Sequence, residues 1–283
     1  MRDFGVDGGT LTAQPGASGF MTGDQPVPRP AAVGEMMPFS VRGRVCLVTG
    51  ASSGLGAGFA RLLVGHGAFV IGLSQRPPDV DPASSAGSVV HVRGDVRDAS
   101  ALDEAIAVAM ERFGRLDVLV NNAGTFNVLK AARQSADDVA SVFEVNVAAA
   151  ADLCRRAHAV MRANPRGGSI INVTSVLARM PVKGLSAYGA SKAALEQLTR
   201  AFALEWARDG VRVNALAPGW YPTAMTRDYL DRGLAGVLAG QIPMGRLGGD
   251  TDLAGPMLLL ASDASRYMTG ITLTVDGGYS VRG

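Results

Sequence analysis

The stretch Val45-Cys46-Leu47-Val48-Thr49-Gly50-Ala51-Ser52-Ser53-Gly54-Leu55-Gly56 decides how the rest of the chain is read. Its first four residues are a short, continuous apolar run, as expected of a strand buried on both faces. A glycine-rich turn follows, and then Phe59, Leu62 and Leu63 recur at helical spacing. A strand passing through such a turn into a helix can hold a pyrophosphate. The glycines allow close backbone approach, and the free N–H groups and dipole at the helix start favour its charge. Gly50, Ser52, Ser53, Gly54, Leu55 and Gly56 are therefore candidate dinucleotide contacts. The spacing is GxxxGxG, not GxGxxG, and no Gly-Lys-Ser or Gly-Lys-Thr accompanies it, which argues against a P-loop. The same residues also fit Gly-x-Ser-x-Gly, the strand-to-helix elbow of hydrolases. That reading requires a later acid and then a late histidine. The last histidine is His158, on a predicted helix, so the hydrolase reading fails on its general base.

Further strands are expected at 68–73, 89–92, 118–120, 169–173, 211–215 and 271–275. Between them lie helical patterns: Ala101 to Phe113, a long stretch through Val139, Phe143, Val147 and Leu153, and about Ala187 to Ala207. This alternation predicts right-handed βαβ units. The expected fold is α/β, a doubly wound Rossmann fold with a seven-stranded parallel sheet and helices on both faces. Its ligand belongs at the C-terminal strand edge. One domain, 41–283, accounts for the pattern. Residues 1–40 carry Gly8-Gly9, Pro15-Gly16, Pro26, Pro28 and Pro30 without an apolar period, and read as a disordered extension. That segment lacks the apolar core of a secretory signal.

Composition narrows the function classes. Hydrophobic residues make up 47% and charged residues 18%, which supplies a core and excludes disorder throughout. Lys plus Arg number 27 against 25 Asp plus Glu, a balance too even for a nucleic-acid surface. No apolar run reaches the roughly 18 residues of a membrane span, so no membrane partner is expected. Cys46 and Cys154 are far apart, which fits a reduced, cytoplasmic setting without disulfides. His66, His91 and His158 show no metal-binding spacing, so no metal is expected.

The chemistry is carried by the second half of the chain. Tyr188 and Lys192 are four apart and share one helix face. A tyrosine near pKa 10 is a poor base at neutral pH, and a nearby ammonium favours its phenolate. Ser175 follows the strand at 170–173, where its hydroxyl can hydrogen-bond a substrate oxygen. Exposed helix pairs of the YxxxK type are common, so the pair alone says little.

With the glycine turn, Asn121-Asn122-Ala123-Gly124, Asn146, Ser175, Tyr188-Gly189-Ala190-Ser191-Lys192 and Pro218-Gly219 in this order, the chain resembles the short-chain dehydrogenase/reductase family over about residues 41 to 280. The resemblance implies Tyr188 as acid/base and Ser175 as stabiliser of the substrate oxygen. It gives Lys192 two tasks, binding the nicotinamide ribose and lowering the Tyr188 pKa. Asn146 looks like the helix asparagine that holds a water of the proton relay. The resemblance places Asn122, Ala123 and Gly124 beside the cofactor and Asp95 and Val96 near adenine. Pro218, Gly219 and Thr223 resemble the loop against the carboxamide. Asp95 also reads as a loop carboxylate near a helix start.

A nicotinamide dinucleotide is thus the expected cofactor. After the second strand, where NAD binders carry an acid, the chain reads Leu73-Ser74-Gln75-Arg76, and Asp79 lies beyond two prolines. The missing carboxylate and Arg76 favour NADP(H) over NAD(H), although Ser53 stands where many NADP-using relatives carry a basic residue. Trp220 to Leu247, with Met225, Leu230, Leu234, Val237, Leu238, Ile242 and Met244, reads as a lid, a core element or a subunit contact. The expected substrate is a small carbonyl or alcohol, and the tail resembles both 3-oxoacyl-carrier reductases and gluconate-type dehydrogenases. A nucleotide sensor without turnover is the competing class. The family further suggests a homotetramer or homodimer through helices near 139–157 and 187–207. Phe202 and Trp206 could instead be core residues.

Overall fold

A computed structural model describes residues 38–77, 89–223, 226, 233 and 235–281. All but the last three residues of the expected extension, together with Asp79, Met225, Leu230 and Leu234, lie outside the described residues. Seven strands form one sheet: β1 Val45–Thr49, β2 Phe69–Ser74, β3 Val89–Arg93, β4 Val118–Asn121, β5 Gly168–Val173, β6 Val211–Pro218 and β7 Thr272–Val275. All neighbouring strands pair in parallel. Their order is β3-β2-β1-β4-β5-β6-β7, so the chain reverses direction across the sheet between β1 and β4. In such sheets a ligand crevice opens beyond the carboxyl ends of the strands at that switch point. Here the glycine turn after β1 and the Asn122 turn after β4 flank it.

The strands are apolar on both faces because helices cover both. Alternate residues of β1 enter different cores: Cys46 and Val48 pack with Phe59 and Leu63 of α1 (Gly54–Gly65) and with Met257 and Leu260 of a later helix. Val45 and Leu47 belong to the core on the other face, with Leu102 of α2 (Ala99–Phe113) and with Leu153 and Ala203 from two further helices. Those two helices are α4 (Ala150–Met161) and α5 (Ser186–Trp206). Between α2 and α4 lies α3 (Ala136–Phe143), and α6 (Ala235–Gln241) and α7 (Ala254–Ala261) complete the described set. No described helix is long and apolar enough to cross a membrane.

The long helix expected through 139–153 is interrupted. Glu144–Ala149 winds as a π-helical segment between α3 and α4, and Asn146 sits within it, fully buried. Apolar spacing does not register one widened turn; a π-segment often marks a functional site. Trp206 belongs to the core of its own chain, stacked between His158 and Phe202.

Candidate active site

Thr49, the last residue of β1, ties the two turns of the switch point together. Its Oγ1 accepts the backbone N–H of Asn122 at 3.0 Å and of Ala123 at 2.9 Å. The Asn122 Nδ2 donates back to the Thr49 carbonyl at 3.0 Å. Gly56 makes this packing possible: a Cβ there would lie 2.3 Å from the Gly50 carbonyl oxygen and 2.4 Å from Asn122 Nδ2. Gly50 adopts φ 66°, a left-handed conformation that favours glycine. Ser53, at the start of α1, makes no side-chain cap hydrogen bond. The N–H groups of that first turn are thus left to a ligand, which fits a pyrophosphate.

Gly50, Ser53, Gly54 and Leu55 open into a cleft of about 200 Å³ that also takes in Asn122, Ala123 and Gly124. Ser175, Tyr188, Lys192, Pro218, Gly219 and Thr223 line the same cleft. A trough of about 450 Å³ continues from Gly50 and Ala123 past Ser52, Arg76, Asp95 and Val96. The residues read from sequence therefore fall along one continuous groove, apart from Gly56, which packs behind it, and Asn146, which lies beneath.

Ser175 follows β5 and caps a tight turn, accepting the Leu177 N–H at 3.1 Å. Its hydroxyl bonds the Tyr188 phenol, which favours the phenolate, but burial weighs more and raises the Tyr188 pKa. Lys192 Nζ lies 5.7 Å from the centre of the Tyr188 ring and donates to the Val173 carbonyl at 2.9 Å. Burial lowers the lysine to about 8. The expectation of a phenol lowered by its ammonium neighbour is thus not met, because desolvation dominates both groups.

Asn146 is committed through its side chain. Its Oδ1 accepts the Thr125 N–H at 2.8 Å, and its Nδ2 donates to the Thr125 carbonyl and the Ser191 hydroxyl, both at 2.9 Å. Ser191 in turn donates to the Tyr188 carbonyl at 2.7 Å. The amide thereby joins the turn after β4 to the helix bearing Tyr188 and Lys192. A Cβ on Gly124 would come within 3.2 Å of Asn146 Oδ1 and 3.4 Å of Lys192 Nζ.

At the far end of the trough, Asp95 is also engaged. It accepts from Arg97 Nε at 3.0 Å and Nη2 at 2.8 Å, and from Gln75 Nε2 at 2.9 Å. The Arg97 guanidinium is the main reason its carboxyl falls to about 2. Arg76 is exposed and has no ion-pair partner among the described residues.

Several features of the site escaped the sequence reading: Thr125, Arg97, Phe126 and the structural roles of Thr49 and Ser191. Nothing in their local spacing distinguishes them. Phe126 meets Tyr188 edge to face, with ring centres 5.9 Å apart. With Val128, Val176, Leu177, Leu185 and Trp220 it lines an apolar chamber of about 70 Å³ next to Ser175 and Tyr188.

A parallel sheet with a phosphate-binding turn at its switch point and a serine, tyrosine and lysine in the adjoining cleft defines a nucleotide-dependent oxidoreductase. The chain belongs to the short-chain dehydrogenase/reductase family. Residues 50–280 match the family model described as enoyl-(acyl carrier protein) reductase. The chain is 38% identical over 247 residues to the 3-oxoacyl-(acyl-carrier-protein) reductase FabG of Salmonella typhimurium, covering 84% of this chain and 98% of that protein. It is 34% identical over 248 residues to 2-dehydro-3-deoxy-D-gluconate 5-dehydrogenase of Escherichia coli, covering 86% and 98%. Among solved structures, a short-chain type dehydrogenase/reductase from Mycobacterium marinum superposes with a TM-score of 0.81 at 29% identity, covering 87% of this chain and 98% of that one. A gluconate 5-dehydrogenase from Burkholderia cenocepacia in complex with NADP and tartrate gives 0.79 at 30% identity, with coverage of 87% and 98%. The protein is an NAD(P)-dependent dehydrogenase/reductase.

Proposed function

We propose that the protein interconverts a secondary alcohol and a ketone, using NADP(H) in preference to NAD(H), as a carbonyl or 3-oxoacyl reductase built on one catalytic domain, 41–283. The observation that carries this reading is the meeting of Ser175, Tyr188 and Lys192 in the cleft that continues from the glycine turn. When bound, the nicotinamide would supply or accept hydride at the substrate carbon. The backbone of Gly54 to Gly56 would hold the pyrophosphate, and Lys192 would reach the ribose next to the nicotinamide.

The protein's own groups handle the proton and the oxygen. In reduction Tyr188 gives its proton to the carbonyl oxygen; in oxidation it takes the proton from the alcohol. Ser175 donates a hydrogen bond to the same oxygen as charge develops there. Lys192, lowered by burial to about 8, stays mostly protonated at neutral pH beside the Tyr188 ring. Asn146 keeps the turn after β4 and the Tyr188 helix in register.

Asp95 is the only acid among the described residues lining the trough, and Arg97 and Gln75 already occupy it. Among the described residues no free carboxylate is left there for an unphosphorylated ribose, whereas Arg76 can pair with a 2′-phosphate. The Burkholderia relative, solved with NADP, supports the same preference. The gluconate-type relatives support a sugar-acid ketone as an alternative substrate. We also propose an oligomer through α4 and α5, from which Leu204 projects with 84% exposure; light scattering showing a monomer would reject it.

NADPH oxidation with a panel of ketones, followed at the reduced-nicotinamide band, tests the chemistry. Tyr188→Phe is expected to lower the rate at least about 100-fold while NADPH still binds. Retention of most of the rate would refute the assignment, and NADPH binding without any turnover would revive the sensor reading.

A further inference from the structure

We propose that Phe126 is a specificity-determining residue, selecting ketones that carry an uncharged apolar group and disfavouring anionic polyols. The inference rests on the alcohol–ketone reading and assigns the substrate class of that site. The chamber beside Ser175 and Tyr188 is walled by carbon: Phe126, Val128, Val176, Leu177, Leu185 and Trp220. Among the described lining residues its side-chain polar groups are the hydroxyls of Ser175, Tyr188 and Thr226 and the buried indole N–H of Trp220. The first two serve the reacting oxygen. Thr226 Oγ1 already donates to the Tyr221 carbonyl at 2.7 Å. No charged side chain stands among the described lining residues.

A carboxylate entering this space would lose water and meet no cation among the described lining residues, since Lys192 lies in the neighbouring cleft, bonded to the Val173 carbonyl. Hydroxyls along a polyol would lose hydrogen bonds to water with little in exchange. An alkyl chain or a single ring loses nothing polar and gains contact with the walls.

Phe126 controls this space more than its neighbours because of where it sits. It borders both the trough and the chamber, and its ring packs edge-on against Tyr188 at 67° between planes. Leu177, Leu185 and Trp220 belong to a buried cluster, whereas Phe126 only packs against it, half-buried on a loop. Its side chain can therefore change without emptying a core. Val128, 54% exposed, marks the outer edge of the same wall.

The test compares acetophenone and 2-hexanone with 5-keto-D-gluconate, each with NADPH and the full-length protein. The wild type is expected to show kcat/KM at least about 100-fold higher for the apolar ketones, since one group in an apolar pocket already discriminates about 10- to 200-fold. Phe126→Leu should keep that preference. Phe126→Arg should lower the acetophenone value at least about 10-fold and narrow its ratio to the gluconate ketone. Val128→Arg, at the exposed rim, should shift the ratio the same way and guards against a folding defect in the first variant. Equal or better turnover of 5-keto-D-gluconate by the wild type, or a ratio unmoved by both arginine variants, would overturn the proposal and leave the redox reading standing. Absence of turnover with every ketone, with NADPH still bound, would overturn both.

Discussion

Two glycines of α1, two residues apart, should respond oppositely to the same added methyl. At Gly56 a Cβ would sit 2.3 Å from the Gly50 carbonyl oxygen and 2.4 Å from Asn122 Nδ2, whereas at Gly58 it meets nothing within 4 Å. Relief at Gly56 requires the helix start to move away from β1 by about 1 Å, since ordinary contact begins at 3.4 Å. Overpacking of this kind costs about 1–3 kcal/mol, against about 1 kcal/mol gained because alanine favours helix over glycine. Gly56→Ala should therefore lose roughly 0–2 kcal/mol of stability. The larger effect falls on cofactor binding. Losing one charge-assisted hydrogen bond at the helix start, worth about 1.5–3 kcal/mol, raises the NADPH Kd about 10- to 150-fold. Gly58→Ala should gain up to about 1 kcal/mol, a Tm increase of about 2–4 °C, with NADPH affinity unchanged. Thermal melts with and without NADPH, and fluorescence titration, measure both. Wild-type NADPH affinity in Gly56→Ala would refute the reasoning that this contact shapes the phosphate cradle.

Asn146→Ala removes three hydrogen bonds from a fully buried amide, so a loss of roughly 1–3 kcal/mol in urea unfolding is expected, together with a lower kcat. A wild-type kcat would show that the π-segment does not set the geometry of the site. Arg76→Ser should weaken NADPH at least about 10-fold and leave NADH nearly unchanged, read from kcat/KM with each cofactor. Lys192 links stability to pH: its folded pKa, about 8, lies below the unfolded value near 10.4, so the unfolded state binds more protons between them. Stability from this group therefore rises as pH climbs from about 8 towards 10.4, and denaturation of Lys192→Met should lack that rise while its activity is lost. An identical pH profile in the variant would show that the lysine is not the source.

Most of the fold could be read from short segments. The run at Val45–Val48, the alternation of apolar strands with helical periods and the glycine turn each depend on neighbours in sequence, and all seven strands formed near their expected places. Helix continuity was less legible. The π-segment at Glu144–Ala149 has the same apolar spacing as an ordinary helix, and the bonds from Asn146 to Thr125 and Ser191 become visible only once the chain has folded back. Asp95 shows the same limit. Its place after β3 and beside the trough could be read from short segments, whereas the hydrogen bonds it accepts from Arg97 and Gln75 belong to the folded chain.

The sequence by itself determined which chemical groups are present and which local elements carry them, because apolar period, glycine placement and a four-residue helical spacing act over a few residues. Tertiary structure decided the charge balance and the shape of the site. Desolvation raises Tyr188 and lowers Lys192, and Phe126 comes to rest against Tyr188 from a different loop. Burial and contact between distant segments are properties of the packed chain, since they depend on what surrounds each group after the strands and helices have come together.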